Sequence, residues 1–332
     1  MTSDLQKRTT ELITSPTIAD RNRFYRDQRM SNLSTHPRAR ILMCAPEHFE
    51  VSYTINPWMK PDTWQSQAEL LGARSNSGWK TLTETLRSLG AELEFVPPTD
   101  GLPDLVFTAN AAVVLDGVAL VATFRHPQRQ PETAVYKKSF EQLKARGLLR
   151  EVLDMPEGMV LEGAGDCVWD PVRDTFWLGY GQRSDKAAAD VVHKTFGFDV
   201  VPLKLVDPRF YHMDTCLCPL TGGEVLYWPG AFDDEGKAKI EERFGKDNLI
   251  AAPEEDACGF AVNAVNIGRD IVLATVTDKL RGLLEDRGYR LHATPISDFN
   301  LSGGSAFCLT LKLDRASGGR DIPAELDMVS SA

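Results

Sequence analysis

The chain has 332 residues, of which 42% are hydrophobic, with a formal net charge of -10 and a pI near 5.2. That length can bury a substantial core, and a surplus of carboxylates repels phosphate backbones and anionic membranes while leaving a small cation welcome. Nucleic acid and membrane are set aside as partners on this balance, helped by the lack of any long uninterrupted apolar run and of an apolar N-terminal signal segment.

Residues 1–38 are polar, with Arg21, Arg23, Arg26 and Arg29 among acids, and are expected to form a mobile arm or a contact in a homo-oligomer. ILMCAPEHF, from Ile41, then predicts a strand, 64–89 a long helix and AELEFVPP another strand. From Asp104 onward one order of elements recurs four times: a β-hairpin, an amphipathic helix and a further strand. The first copy is LVFTANAAVVLDGVALVATF, turning at Asp116-Gly117, then PETAVYKKSFEQLKARG and REVLDMP. The second is EGAGDCVWDPVRDTFWLGYG, SDKAAADVVHKTFG and FDVVPLKL; the third is YHMDTCLCPLTGGEVLYWPG, DDEGKAKIEERFG and NLIAAP. The fourth is CGFAVNAVNIGRDIVLA, TDKLRGLLEDRG and YRLHATP. Ser184 and Thr277 are placed as N-caps, and glycines after a basic residue or Phe end the helices.

The strand GSAFCLTLKL at 304–313 has no helix of its own. Paired with the segment beginning at Ile41, it completes a fifth unit from the two ends of the chain. The expected fold is therefore α/β, a five-bladed α/β propeller of ββαβ units over 39–314, followed by a polar tail at 315–332. Each inner strand carries one polar or thiol residue in an apolar run: Asn110, Asp166, Asp214, Asn266 and Cys308. Such groups are costly when buried unless they meet, by about 1–3 kcal/mol each, so they point to one polar centre at the axis. The six cysteines are too sparse for a disulfide scaffold and fit free thiols in the cytoplasm.

Cys308 follows SGGSAF, whose Gly303-Gly304 lets the backbone bend close to a ligand. Glu162 and Asp166 flank the glycines of LEGAGD, and Asp214 stands two residues after His212, on the same face if that segment is a strand. A thiol, an imidazole and several carboxylates suit one task well. A guanidinium is planar, cationic and forked, so carboxylates can hold it while a thiolate attacks its carbon. His212, Asp214, Cys216 and Cys218 do not make a zinc site on this reading, since a single strand cannot wrap a tetrahedral ion. EGAGD lacks the lysine and spacing of a phosphate loop. No metal or other cofactor is expected.

The segments FTAN, EGAGD, HMD and GGSAFC, in that order over roughly residues 41–313, resemble the guanidino-modifying (pentein) superfamily. Within it, CAPEHFEVSYTINPWM and PDLVFTAN are similar to segments of the bacterial arginine dihydrolases. The resemblance implies the five-bladed propeller and assigns Cys308 as nucleophile, His212 as general acid and base, and Glu162 and Asp214 as guanidinium binders, with Asp166 supporting them. It also implies Arg183 and Arg129 as partners of a substrate α-carboxylate and Asn56 at the amino-acid end. Arginine deiminases typically carry Asp where this chain has Asn110. An amide can donate to the oxygen of citrulline and hold it for a second attack, so the expected reaction is arginine to ornithine, ammonia and carbon dioxide. The alternatives are a deiminase or dimethylarginine dimethylaminohydrolase, which stop at citrulline, an amidinotransferase, and a non-catalytic binding protein on the same fold.

Overall fold

The computed structural model describes residues 39–318. The first strand, β1 (Arg40–Cys44), is followed by a short helical turn at Pro61–Gln65, the helix α1 (Ala68–Ser88) and β2 (Glu92–Val96). The next unit contains β3 (Ala112–Leu115), β4 (Val118–Val121), α2 (Glu132–Ala145) and β5 (Glu151–Asp154). After it come β6 (Cys167–Asp170), β7 (Thr175–Tyr180), α3 (Ala188–Phe196) and β8 (Asp199–Lys204). The following unit has β9 (Leu217–Pro219), β10 (Val225–Tyr227), α4 (Asp234–Phe244) and β11 (Leu249–Ala251). The last complete unit has β12 (Val265–Ile267), β13 (Asp270–Leu273), α5 (Asp278–Glu285) and β14 (Arg290–Ala293), and β15 (Leu311–Lys312) closes the series.

These strands form five three-stranded sheets, four of them consecutive in sequence and the fifth ordered β15-β1-β2. In every sheet the inner strand runs antiparallel to the middle one, and the outer strand returns parallel through the helix. The inner strands are mostly apolar because both faces are covered: β3 is AVVL and wholly buried, whereas the outer strand β5, EVLD, has exposed ends. Helices pack between neighbouring sheets. Trp177 of β7, for example, stacks on Phe244 of α4 with ring centroids 5.0 Å apart.

Polar bonds at the axis join each unit to the next and the last to the first. Asn110 Nδ2 donates to the Glu162 carbonyl, Met213 N to Asp166 Oδ1, Asn263 Nδ2 to the Asp214 carbonyl, Phe307 N to the Asn263 carbonyl and Ala109 N to the Cys308 carbonyl.

Local differences from expectation have local causes. Asp116-Gly117 turns as expected, with both residues at positive φ, and Thr277 caps α5 by accepting from Leu280 N. Ser184 does not cap α3, which starts at Ala188; its hydroxyl donates instead to Asp166 Oδ2 and accepts from Glu162 N. The segment after His212 is a 3-10 turn, Met213–Thr215, so the strand alternation proposed for His212 and Asp214 does not apply. Residues 315–318, read from composition as the start of a tail, pack on the body: Ser317 bonds Asp116 and Gly318 N donates to Asp174. The arm proposed for residues 1–38 lies outside the described residues. Among the described residues, no helix is long and apolar enough to cross a membrane.

Candidate active site

The polar residues sit just before the inner strands, in short turns rather than within the ladders. Asn110 lies in a 3-10 turn ahead of β3, Asp166 in the helical turn Gly163–Asp166 ahead of β6, and Asp214 in the turn ahead of β9. Their side chains are thereby freed from strand alternation and aimed at the axis. Glycine makes the approach close enough. Gly163 has φ of +61°, and a Cβ on Gly165 would collide with the Asn110 amide nitrogen.

The structure brings Cys308, His212, Glu162, Asp214, Asn110, Asp166, Arg129, Arg183 and Asn56 into one buried group, none more than 8% exposed. Cys308 Sγ lies 3.1 Å from Asp214 Oδ2 and 3.1 Å from the Asn263 amide nitrogen. Burial comes first in raising the thiol's pKa well above its ordinary value, and the Asp214 charge adds to it. The resting sulfur is therefore a thiol. Burial also raises the Asp214 carboxyl to about 7, against the bonds from Cys308 and Asn263. Asp214 Oδ1 is buried and has no hydrogen-bond partner among the described residues.

His212 Nε2 is 2.7 Å from Glu162 Oε2 and 4.0 Å from Asp166 Oδ2. Burial outweighs the carboxylate and lowers the imidazole to about 4, so it is neutral near pH 7, and the contact assigns its proton to Nε2. Glu162 is also desolvated, which alone would raise its pKa, yet Arg183 and His212 hold it below the usual carboxylate range. Asp166 behaves oppositely. Burial pushes its carboxyl well up despite bonds from Ser184 and Met213.

Arg183 Nη1 donates to Glu162 Oε2 at 3.0 Å and Nη2 to the Ile55 carbonyl at 3.0 Å, with the guanidinium over the Tyr211 ring. Arg129 is more heavily engaged. It makes a two-pronged contact with Glu132 and bonds Asn110 Oδ1 at 2.9 Å and the Asp104 carbonyl. The segment around Ile55 covers the group: Asn56 donates to the Ser302 carbonyl and Trp58 Nε1 to the Arg209 carbonyl.

Some functional residues escaped sequence reasoning. Asn263, not Asn266, is the axial member of its unit: Oδ1 accepts from both Ser305 N and Cys308 N while Nδ2 reaches Sγ. Asn266 lies in β12, where it bonds Thr221, Gly268 and Asp270. The run FAVNAVN contains both, and the register of the turn before the strand separates them. Glu132 reads in sequence as a first-turn helix acid, and Asp104, which binds Tyr53 and Ser302, as a loop acid.

A ring of five ββαβ units with its polar groups turned to the axis is the architecture of the guanidino-modifying, or pentein, proteins. A family model described as N,N dimethylarginine dimethylhydrolase, eukaryotic, matches residues 45–315, and the chain belongs to that family. It is 40% identical over 274 residues to the bifunctional arginine dihydrolase/ornithine cyclodeaminase ArgZ of Synechocystis sp., covering 82% of this chain and 37% of that protein. It is 32% identical to N(G),N(G)-dimethylarginine dimethylaminohydrolase of Mycobacterium tuberculosis, covering 83% of this chain and 87% of that one. The crystal structure of the N-terminal domain of ArgZ covalently bonded to a reaction intermediate is similar at a TM-score of 0.78 and 38% identity, over 84% of this chain and 98% of that domain. The chain thus spans little more than a third of the cyanobacterial relative's full length.

Proposed function

We propose that the chain hydrolyses arginine twice at the guanidinium carbon, yielding ornithine, two ammonia and carbon dioxide from one arginine and two waters. The observation that carries this is the Asp214 carboxylate, with Oδ2 on the nucleophilic sulfur and Oδ1 buried without a partner. A guanidinium N–H donated to Oδ1 would set the amidino carbon beside Sγ. Glu162 already holds one guanidinium, that of Arg183, and so has the geometry for such a cation.

Burial keeps Cys308 protonated at rest, and a bound cation favours the thiolate, so binding and activation are linked. The thiol proton passes to His212, sulfur attacks the carbon, and the C–N bond breaks as His212 protonates the departing ammonia. The neutral imidazole then takes a proton from water, whose oxygen displaces sulfur and leaves citrulline. A second round needs the neutral citrulline to stay. We assign its retention to Asn110, whose amide can donate to the urea oxygen, and grip on the amino-acid end to Arg183, Arg129 and Asn56. Arg129 has one N–H left over from its present bonds, so Arg183 is the stronger partner for the α-carboxylate. Free buried thiols fit a reducing, cytoplasmic setting.

The test is product analysis with arginine, citrulline and dimethylarginine supplied separately. Ornithine from both arginine and citrulline is expected; citrulline that accumulates without ornithine overturns the two-round reading. The family match favours one alternative, dimethylarginine hydrolysis, which would appear as methylamine release from the third substrate.

A further inference from the structure

Beyond the catalytic layer the inner strands line a narrow cleft with room of about 50 Å³. Its walls include Trp169, Thr221, Asn266, Thr310, Lys312 and Arg315. Thr310 and Lys312 stand two and four residues past Cys308, Lys312 within β15, and Trp169 stands three past Asp166, within β6. The cleft therefore belongs to the same axis, further along the strands than the nucleophile.

Its electrostatics differ from those of the two buried arginines of the candidate site. Arg129 has Glu132 and Arg183 has Glu162. Among the described residues, Lys312 and Arg315 make no carboxylate contact of that kind. Lys312 Nζ donates to the Asn266 carbonyl, and Arg315 Nη1 reaches the Trp169 carbonyl only at 3.4 Å. Arg315 Nε and Trp169 Nε1 are both buried donors without an acceptor among the described residues. A desolvated donor left unmade costs about 1–3 kcal/mol, so two beside two cations mark an unmet demand for an acceptor. The acid between them in sequence, Asp314, has a buried Oδ1 with no partner among the described residues, and burial raises its carboxyl against the charges of Lys312 and Arg315. Burial lowers Lys312 to about 8, so it remains a cation at neutral pH, and Arg315 is a cation throughout.

We propose that this cleft is a binding site for a small oxyanion, a phosphate or carboxylate group held between Lys312 and the Nε edge of Arg315. Planar, paired donors of a guanidinium match two oxygens of either group, and the lysine supplies a second charge. The narrow cleft and the net charge of -10 select a small anion over a polyanion.

The thermal unfolding midpoint of the full chain would be followed while inorganic phosphate, and in a parallel arm succinate, is titrated against sodium chloride at matched ionic strength. A saturable rise beyond that in chloride is expected in at least one arm. Phosphate alone, succinate alone or both would each support the site and identify its ligand chemistry. Lys312→Gln and Arg315→Gln should each weaken the apparent affinity by about tenfold or more. Should Arg315→Gln fail to fold, Lys312→Gln decides alone, with its circular dichroism showing that it is folded. Midpoints that follow ionic strength only in both arms, or a Lys312→Gln chain that keeps the full wild-type response, would overturn the proposal.

Discussion

Cys308 is held by two groups with distinct jobs. Asp214 accepts from its thiol and favours the protonated form, and Asn263 fixes its backbone and donates to its sulfur, while His212 bonds Glu162 rather than the thiol. Cys308→Ala should release no ammonia from arginine, and full turnover by that variant would remove the nucleophile from the scheme. Asn263→Ala should lower kcat by about tenfold to a hundredfold, since a hydrogen bond to a charged group contributes about 1.5–3 kcal/mol. It should also move the pH profile of Cys308 alkylation upward, because an N–H donor favours thiolate over thiol; an unchanged profile would make Asn263 merely structural. His212 makes a stability prediction. Its pKa falls from 6.5 to about 4 on folding, so between those values the unfolded chain binds a proton that the folded chain refuses. Its contribution is intact above pH 6.5 and declines as pH falls to 4, by about 3 kcal/mol in all. Urea unfolding of His212→Gln should lose that slope relative to wild type.

At the scale of elements, the turns that precede the inner strands carry the site, and their geometry is intolerant of added atoms. Gly165→Ala would drive a methyl group into the Asn110 amide and toward His212 Nδ1. It should cost about 1–3 kcal/mol in chemical denaturation and most of the activity. Thr277→Ala is the contrasting case, removing a helix cap far from the chemistry. It should lower stability by about 1 kcal/mol and leave kcat unchanged. Hairpins and helices were legible because their signals are local: Asp116-Gly117 turns on two positive φ values, and the apolar inner strands declare themselves by composition. Ser184 misled for the same local reason. It has the form of a cap, but its hydroxyl is engaged at the axis, donating to Asp166 Oδ2 and accepting from Glu162 N.

At the scale of the molecule, the fifth sheet joins the two ends of the described chain, with Ile41 opposite Lys312 and Leu42 opposite Leu311. A chain ending at Thr310 loses this ladder and exposes β1, so it should unfold without a single cooperative transition by circular dichroism, in contrast to the full chain. Repetition, the order of elements and the gathering of Cys308, His212, Glu162 and Asp214 at one polar centre could all be read from the sequence alone. Period, turn chemistry and residue type are local or additive properties that a linear string retains. Only the tertiary structure decided that Asn263 rather than Asn266 faces the thiol, that Glu132 occupies Arg129, and that Lys312 and Arg315 share a cleft without a carboxylate. Those facts depend on which side chains from separate units converge on the axis, and convergence is set by ring closure and turn register, which no single segment contains.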